Sequence, residues 1–211
     1  MYSIAFGMKK GTFIVFEGGE GSGKDTQIEL LKKELPDAVF TKEPGGTKFG
    51  LEMRRLLLEW KDGEIDPLAE LFFFSAARVH FMKEVVRPAL ATGKTVVANR
   101  FALSTIAYQV YGRQRPDLLT LAQEVTKKVV GDEMPDMTIL LDISPEEGIK
   151  RVEKRDDGKT RFDAESLAFH ARVLEGYLKH IADFGPHAVI DASRSVEEVW
   201  EEVKKVLESI R

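Results

Sequence analysis

Gly18, Gly23 and Lys24, spaced as G-x4-G-K, stand between an apolar run and a stretch of helical periodicity that starts at Lys24. Glycines let successive backbone N–H groups turn inward, and inward N–H groups bind phosphate oxygens. A helix opening at Lys24 adds the positive end of its dipole. The Lys24 ammonium is a mobile charge that reaches β- and γ-phosphates. The cradle then comprises Gly18, Gly19, Glu20, Gly21, Ser22, Gly23, Lys24, Asp25 and Thr26. The chemistry is that of binding a nucleoside triphosphate through its phosphates.

Asp25 stands where such a loop ordinarily carries a Ser or Thr hydroxyl for Mg²⁺. An acid in the first helical turn is favourable in itself. Facing a triphosphate it would repel it, which favours Asp25 as a metal ligand. Thr26 follows, but a residue further along a helical turn points elsewhere.

Four further motifs follow in order: Lys42-Glu-Pro-Gly-Gly-Thr47, Phe74-Ser-Ala-Ala-Arg78, Asn99-Arg100-Phe101, and Ser104-Thr-Ile-Ala-Tyr-Gln109 running on to Tyr111-Gly-Arg113. With the phosphate loop they resemble the thymidylate kinase family over nearly the whole chain, from Thr12 to about Val206. Deoxynucleoside kinases share the fold but lack the E-P-G-G-T run.

The resemblance implies ATP and Mg²⁺ as donor and cofactor and dTMP as acceptor. Phe74 would stack on the thymine ring, Arg78 would bond its O4, and Ser104 and Gln109 would meet the pyrimidine edge. Tyr108 would lie against the sugar, Glu20 would reach its 3′-hydroxyl, and Pro44 would shape the pocket beneath the base. Arg54 and Arg100 would hold the acceptor phosphate, a role suited to the planar guanidinium. The family's third strand ends in Asp-Arg-[FY], its aspartate holding hydrated Mg²⁺. Here that position is Asn99, so Asp25 and Asn99 differ from the pattern with opposite signs of charge. The reading is that Asp25 holds Mg²⁺ directly or through water, with Asn99 acting through water.

Arg151–Asp163, RVEKRDDGKTRFD, is charged and contains a glycine. The resemblance makes it the lid, with limits of about 151–163. Transfer needs positive charge around the equatorial phosphate oxygens, and the phosphate loop has no arginine. The resemblance implies that bacterial members without an arginine in the phosphate loop carry it on the lid, which makes Arg155 and Arg161 the catalytic candidates beside Lys24 and Arg100, with Lys159 behind them.

The elements that must position these residues alternate along the chain. Strands are expected at Thr12–Glu17, Ala38–Thr41, Thr95–Asn99, Met137–Leu141 and Ala188–Asp191, each short, apolar and without alternation. Helices are expected at Lys24–Leu35, Phe49–Trp60, Pro67–Thr92, Ser104–Tyr111, Asp117–Val130, Pro145–Arg155, Ala164–Phe184 and Val196–Ile210. Pro88 should kink or break the long one. Ser144–Glu147 and Ser195–Glu198 read as capping boxes, and Asp66 and Asp163 as N-caps. This order implies an α/β fold, a five-stranded parallel sheet with helices on both faces. In the terms of the resemblance it is the P-loop nucleoside monophosphate kinase fold, spanning 11–211 as one domain. Met1–Lys10 reads as a tail, since its lysines follow its apolar residues, the reverse of a secretory signal.

The 211 residues are 43 % hydrophobic and 31 % charged, with a formal net charge of −4. That sign argues against a nucleic-acid partner. No run reaches the ~18 apolar residues of a membrane span. The chain has no cysteine, which excludes thiol nucleophiles and zinc–cysteine sites and fits the cytoplasm. The family resemblance adds a homodimer. Two rival readings stand beside dTMP phosphorylation: a kinase for another deoxynucleoside monophosphate, and a nucleotide-binding module with weak catalysis because of Asp25 and Asn99.

Overall fold

The computed structural model describes residues 11–60, 63–154 and 160–210. The tail reading for residues 1–10 lies outside them, as do Arg155 and Lys159 of the lid. Five strands form one parallel sheet: β1 (Phe13–Glu17), β2 (Val39–Lys42), β3 (Val96–Asn99), β4 (Met137–Asp142) and β5 (His187–Asp191), in spatial order β2-β3-β1-β4-β5. All four pairings are parallel.

The strands lack polar alternation because both faces of the sheet are covered. Phe13 and Val15 of β1 pack with Leu71 and Phe81 of α3 (Pro67–Phe81) and with Val173 and Tyr177 of α8 (Leu167–His180). Ile14 and Phe16 face the other way, onto Ile28 and Leu31 of α1 (Lys24–Glu34) and Val199 and Val203 of α9 (Val196–Glu208). Four strands end at residues that open loops toward one rim: Glu17, Lys42, Asn99 and Asp142. The order reverses at β1, and a crevice outside the carboxyl end of that strand is where such sheets bind ligands.

Strand limits match the expected ones to within a residue, and several helices differ in ways their residues explain. The long helix does not break at Pro88. It widens into a π turn at Met82–Val86, where the Arg87 N–H donates to Met82 O, and continues as α4 (Arg87–Ala91). The wider turn takes up the hydrogen bond that proline cannot make. The helix expected at 104–111 is a single α turn, α5 (Ala102–Thr105), that becomes a π segment at Ile106–Gly112. A 3₁₀ turn at Pro116–Leu118 precedes α6 (Leu119–Val130).

Two caps are corrected. Asp163 does not cap α8; it accepts from the Thr160 N–H and hydroxyl, and the helix begins three residues later on Ser166, whose Oγ accepts from the Phe169 N–H. Ser144 caps α7 (Pro145–Glu153), but the Glu147 carboxylate accepts from Arg151 Nε instead of closing the box. Asp66 caps α3 and Ser195–Glu198 forms the full capping box, both as expected. Between β2 and α3 lies α2 (Lys48–Glu59), capped by Thr47.

Candidate active site

The loop after β1 is shaped by contact with α7. A Cβ on Gly21, which has φ +70°, would lie 2.1 Å from Gly148 O, and one on Gly148 would lie 2.4 Å from Glu20 O. The two backbones touch, and any side chain would part them. Gly23 has φ +87° and no side chain caps α1 there. The first N–H groups of that helix are thus left for an anion, as an uncapped helix start requires.

Lys24 folds back over this loop. Its Nζ donates to Gly18 O (2.9 Å), Gly19 O (2.8 Å) and Ser22 Oγ (3.0 Å). Burial and the neighbouring Arg100 charge push the ammonium down to about 7.

Arg100, just past β3, has φ +69°, and that turn swings its side chain under the phosphate loop. Nη1 donates to Gly18 O and to the Tyr177 hydroxyl, and Nη2 donates to Glu20 Oε1 at 2.6 Å. Burial works against both charges of this pair. Arg100 and Lys24 outweigh it at Glu20, which falls to about 2, and Glu20 in turn raises Arg100. The Tyr108 hydroxyl donates to the same Glu20 oxygen at 2.9 Å.

Beneath them is Glu17, fully buried at the end of β1. It accepts from the Phe101 N–H, the Ser104 N–H and hydroxyl, and the Tyr177 hydroxyl. Burial pushes its carboxyl up despite these bonds. Ser104 therefore lines the cleft with its hydroxyl committed to Glu17, away from the expected contact with a pyrimidine edge.

These groups border one cleft of about 790 Å³. One end is walled by Phe74, Pro44, Arg54, Arg78, Tyr108 and Gln109. Arg78 is 2 % exposed, held by Glu43 at Nε (2.8 Å) and by Phe101 O and Thr105 Oγ1 at Nη2. Among the described residues nothing accepts from its Nη1. Arg54 Nη1 donates to Pro44 O (3.3 Å), across the cis Glu43–Pro44 peptide. Phe162, near the end of the lid stretch, faces Phe74 at 6.4 Å and Tyr108 at 5.5 Å between ring centroids.

The other end is lined by Arg151, Ala192, Arg194, Val196 and Val199. Arg151 is tied to the turn after β5, its Nη1 donating to Ala192 O at 2.9 Å.

Asp25 and Asn99 both line the cleft between the ends, and Asn99 Nδ2 donates to Asp25 Oδ1 at 2.8 Å. The two departures from the family pattern are in direct contact. Thr26 is also among the residues that line the cleft. Among the described residues no group of three or more His, Cys, Asp or Glu side chains is placed to hold a metal.

Arg161 differs from its expected role. Its Nη2 donates to Glu70 Oε1, and it is absent from the cleft wall formed by Thr160, Phe162 and Asp163. A fully buried carboxylate draws the guanidinium inward.

Sequence reading missed Glu17, Glu43, Glu70 and Arg151. Glu17 and Glu70 sit inside or beside apolar runs, and a buried acid must find cationic or N–H partners. That rule alone flags Glu17 and Glu70. Arg151 carried a signal too, since it stands four residues after Glu147.

The Thymidylate kinase family model matches residues 16–203. A thymidylate kinase of Nitratidesulfovibrio vulgaris (strain DSM 19637 / Miyazaki F) is 42 % identical over 213 residues, covering 94 % of this chain and 96 % of that protein. One from Roseiflexus sp. (strain RS-1) is 40 % identical over 212 residues, covering 93 % of each. The crystal structure of thymidylate kinase from Ehrlichia chaffeensis superposes with a TM-score of 0.73 at 32 % identity, covering 94 % of this chain and 99 % of that one. The parallel sheet with its phosphate loop at the switch strand, and the sequence along nearly all of its length, place this chain in the thymidylate kinase family of phosphotransferases.

Proposed function

We propose that the protein transfers the γ-phosphoryl group of ATP to dTMP, giving ADP and dTDP. One observation carries this reading: the phosphate loop and the Phe74–Arg78–Gln109 wall face a common cleft, with Arg100 between them. An oxygen of the acceptor phosphate attacks the γ-phosphorus as the bond to the β-phosphate oxygen breaks. No covalent enzyme intermediate is needed, so catalysis is positioning and charge neutralisation.

Lys24 and the N–H groups opening α1 would take the donor's phosphates. Arg54 and Arg100 would hold the acceptor phosphate. Glu20, ionised and fixed by Arg100 and Tyr108, would receive the acceptor's 3′-hydroxyl. Phe74 would stack on the base, with Arg78 Nη1 donating to O4. Arg155 is the proposed source of charge from the lid.

Mg²⁺ supplies neutralisation of the bridging phosphates, and it favours one or two carboxylates plus phosphate oxygens and water. Asp25 fits: Asn99 occupies its Oδ1, and among the described residues nothing donates to Oδ2. Asn99 would reach the ion through water.

A homodimer is proposed through the exposed apolar face of α2 and α3, where Leu51, Phe72 and Val79 are about half exposed and Phe49 stacks on His80 at 4.3 Å. No helix among the described residues is long and apolar enough to cross a membrane, and the cytoplasm is the proposed location.

The test is a coupled ADP-release assay with ATP, Mg²⁺ and a panel of monophosphates. The expected result is turnover with dTMP and at least ~100-fold less kcat/KM with dCMP. Equal turnover of both, or turnover of another monophosphate in preference, overturns the assignment. Binding without turnover would support the module reading.

A further inference from the structure

The Glu70 carboxylate is fully buried on α3, and four donors fill its two oxygens. Oε1 accepts from Arg113 Nη2 and Arg161 Nη2. Oε2 accepts from Arg113 Nε (3.3 Å) and Gln109 Nε2 (3.1 Å). Gln109 is the one member of this cluster that also lines the cleft, beside Phe74 and Arg78.

An amide has two ends of opposite hydrogen-bonding character, and which end faces a ligand is set by what the other end meets. A carboxylate gripped by two guanidiniums offers only acceptors, so Gln109 must turn its NH₂ toward Glu70. Its Oε1 is then the end left for the cleft, and among the described residues nothing donates to it. Arg78 Nη1 is likewise without an acceptor. The wall thus presents one donor and one acceptor. A pyrimidine with a carbonyl at C4 and a hydrogen on N3 complements that pair. Cytosine, with an amine at C4 and a bare N3, opposes it at both points.

We propose that Glu70 is the positioning residue for acceptor specificity: it fixes the Gln109 amide so that the pocket accepts an N3–H and rejects cytosine-type edges. The inference rests on the proposed dTMP reading and adds to it a buried residue that never touches substrate. Arg113 and Arg161 serve the same end by keeping Glu70 an acceptor. The end of the lid stretch, from which Arg161 comes, is thereby joined to the base pocket.

The experiment compares kcat/KM for dTMP and for 5-methyl-dCMP, which keeps the methyl group and reverses only the edge. It is run on the wild type, Glu70→Gln and Glu70→Asp. The wild type should favour dTMP by at least ~100-fold, two mismatched buried contacts being involved. In Glu70→Gln the new amide can donate to Gln109 and turn it over, so the ratio should fall at least ~10-fold. Glu70→Asp, still an acceptor only, should retain most of the preference.

A Glu70→Gln enzyme slower on both acceptors with an unchanged ratio overturns the proposal, since that is what a purely structural role predicts. A wild type that fails on dTMP altogether overturns the functional reading instead. If Glu70→Gln does not fold, the wild-type Gln109 side-chain NH₂ protons decide by NMR. Slow exchange with and without dTMP supports the bond to Glu70. Fast exchange that becomes protected only when dTMP binds places the NH₂ at the base and overturns it.

Discussion

At the residue scale the informative pair is Asp25 and Asn99. Their contact at 2.8 Å turns two separate departures into one rearranged site. If the pair shares one Mg²⁺, Asp25→Ser alone should weaken Mg²⁺-dependent turnover and binding of Mn²⁺ as a spectroscopic substitute. Adding Asn99→Asp should restore much of both. An increase in activity from Asp25→Ser would mean that Asp25 only repels the triphosphate. Coupling below ~0.5 kcal/mol would mean that the positions do not share an ion. Lys24 offers a second measurement. Burial and Arg100 hold the empty enzyme's ammonium at about 7, so at pH 8 most of the population is neutral. Bound triphosphate favours the charged form and raises that value. ATP binding at pH 8 should therefore take up close to one proton, read from calorimetry in buffers of different ionisation heat. Lys24→Met should abolish the uptake, and an unchanged uptake would show that another group titrates.

At the element scale the division of labour within the lid becomes testable. Arg161 is spent on Glu70, and Arg155 is the remaining arginine of the lid stretch after Arg151 is placed on the turn beyond β5. Arg155→Ala should lower turnover by about 10³ with little change in ATP affinity, as for a group acting only in the transition state. Arg161→Ala should lower stability by about 1–3 kcal/mol, from a buried carboxylate that loses one donor. A tenfold or greater loss of turnover in Arg161→Ala at unchanged stability would reverse the two roles. Sequence made the elements legible where apolar patterning was clear, as in the strands and α1, and where a cap agreed with it, as at the Ser195 start of α9. It misplaced the start of α8 because Asp163 and Ser166 are both good caps, and only the tertiary demand on Thr160–Asp163 chooses between them. The π segments escaped it because a bond shifted by one residue leaves the apolar spacing nearly intact. In the site, many residues that line the cleft were legible from motif spacing. The buried acids that aim them were not, because their partners lie far away in sequence, as Glu17 does from Tyr177 and Glu43 from Arg78.

At the scale of the whole molecule, the exposed faces of α2 and α3 predict association. Phe72→Glu should convert a dimer to a monomer in sedimentation analysis, and a wild-type monomer at micromolar concentration would remove the proposal. The contact between Gly21 and Gly148 has a further consequence. Two backbone segments 127 positions apart in sequence press together there: Gly148 O forbids a side chain on Gly21, and Glu20 O, next to Gly21, forbids one on Gly148. The cradle that the G-x4-G-K spacing describes as a local motif is a two-piece mould, its second half supplied by the helix that leads to the lid. In the history of such a chain the two positions are bound to a shared fate. A change at either one is felt first at its distant partner, and neither is free to drift alone.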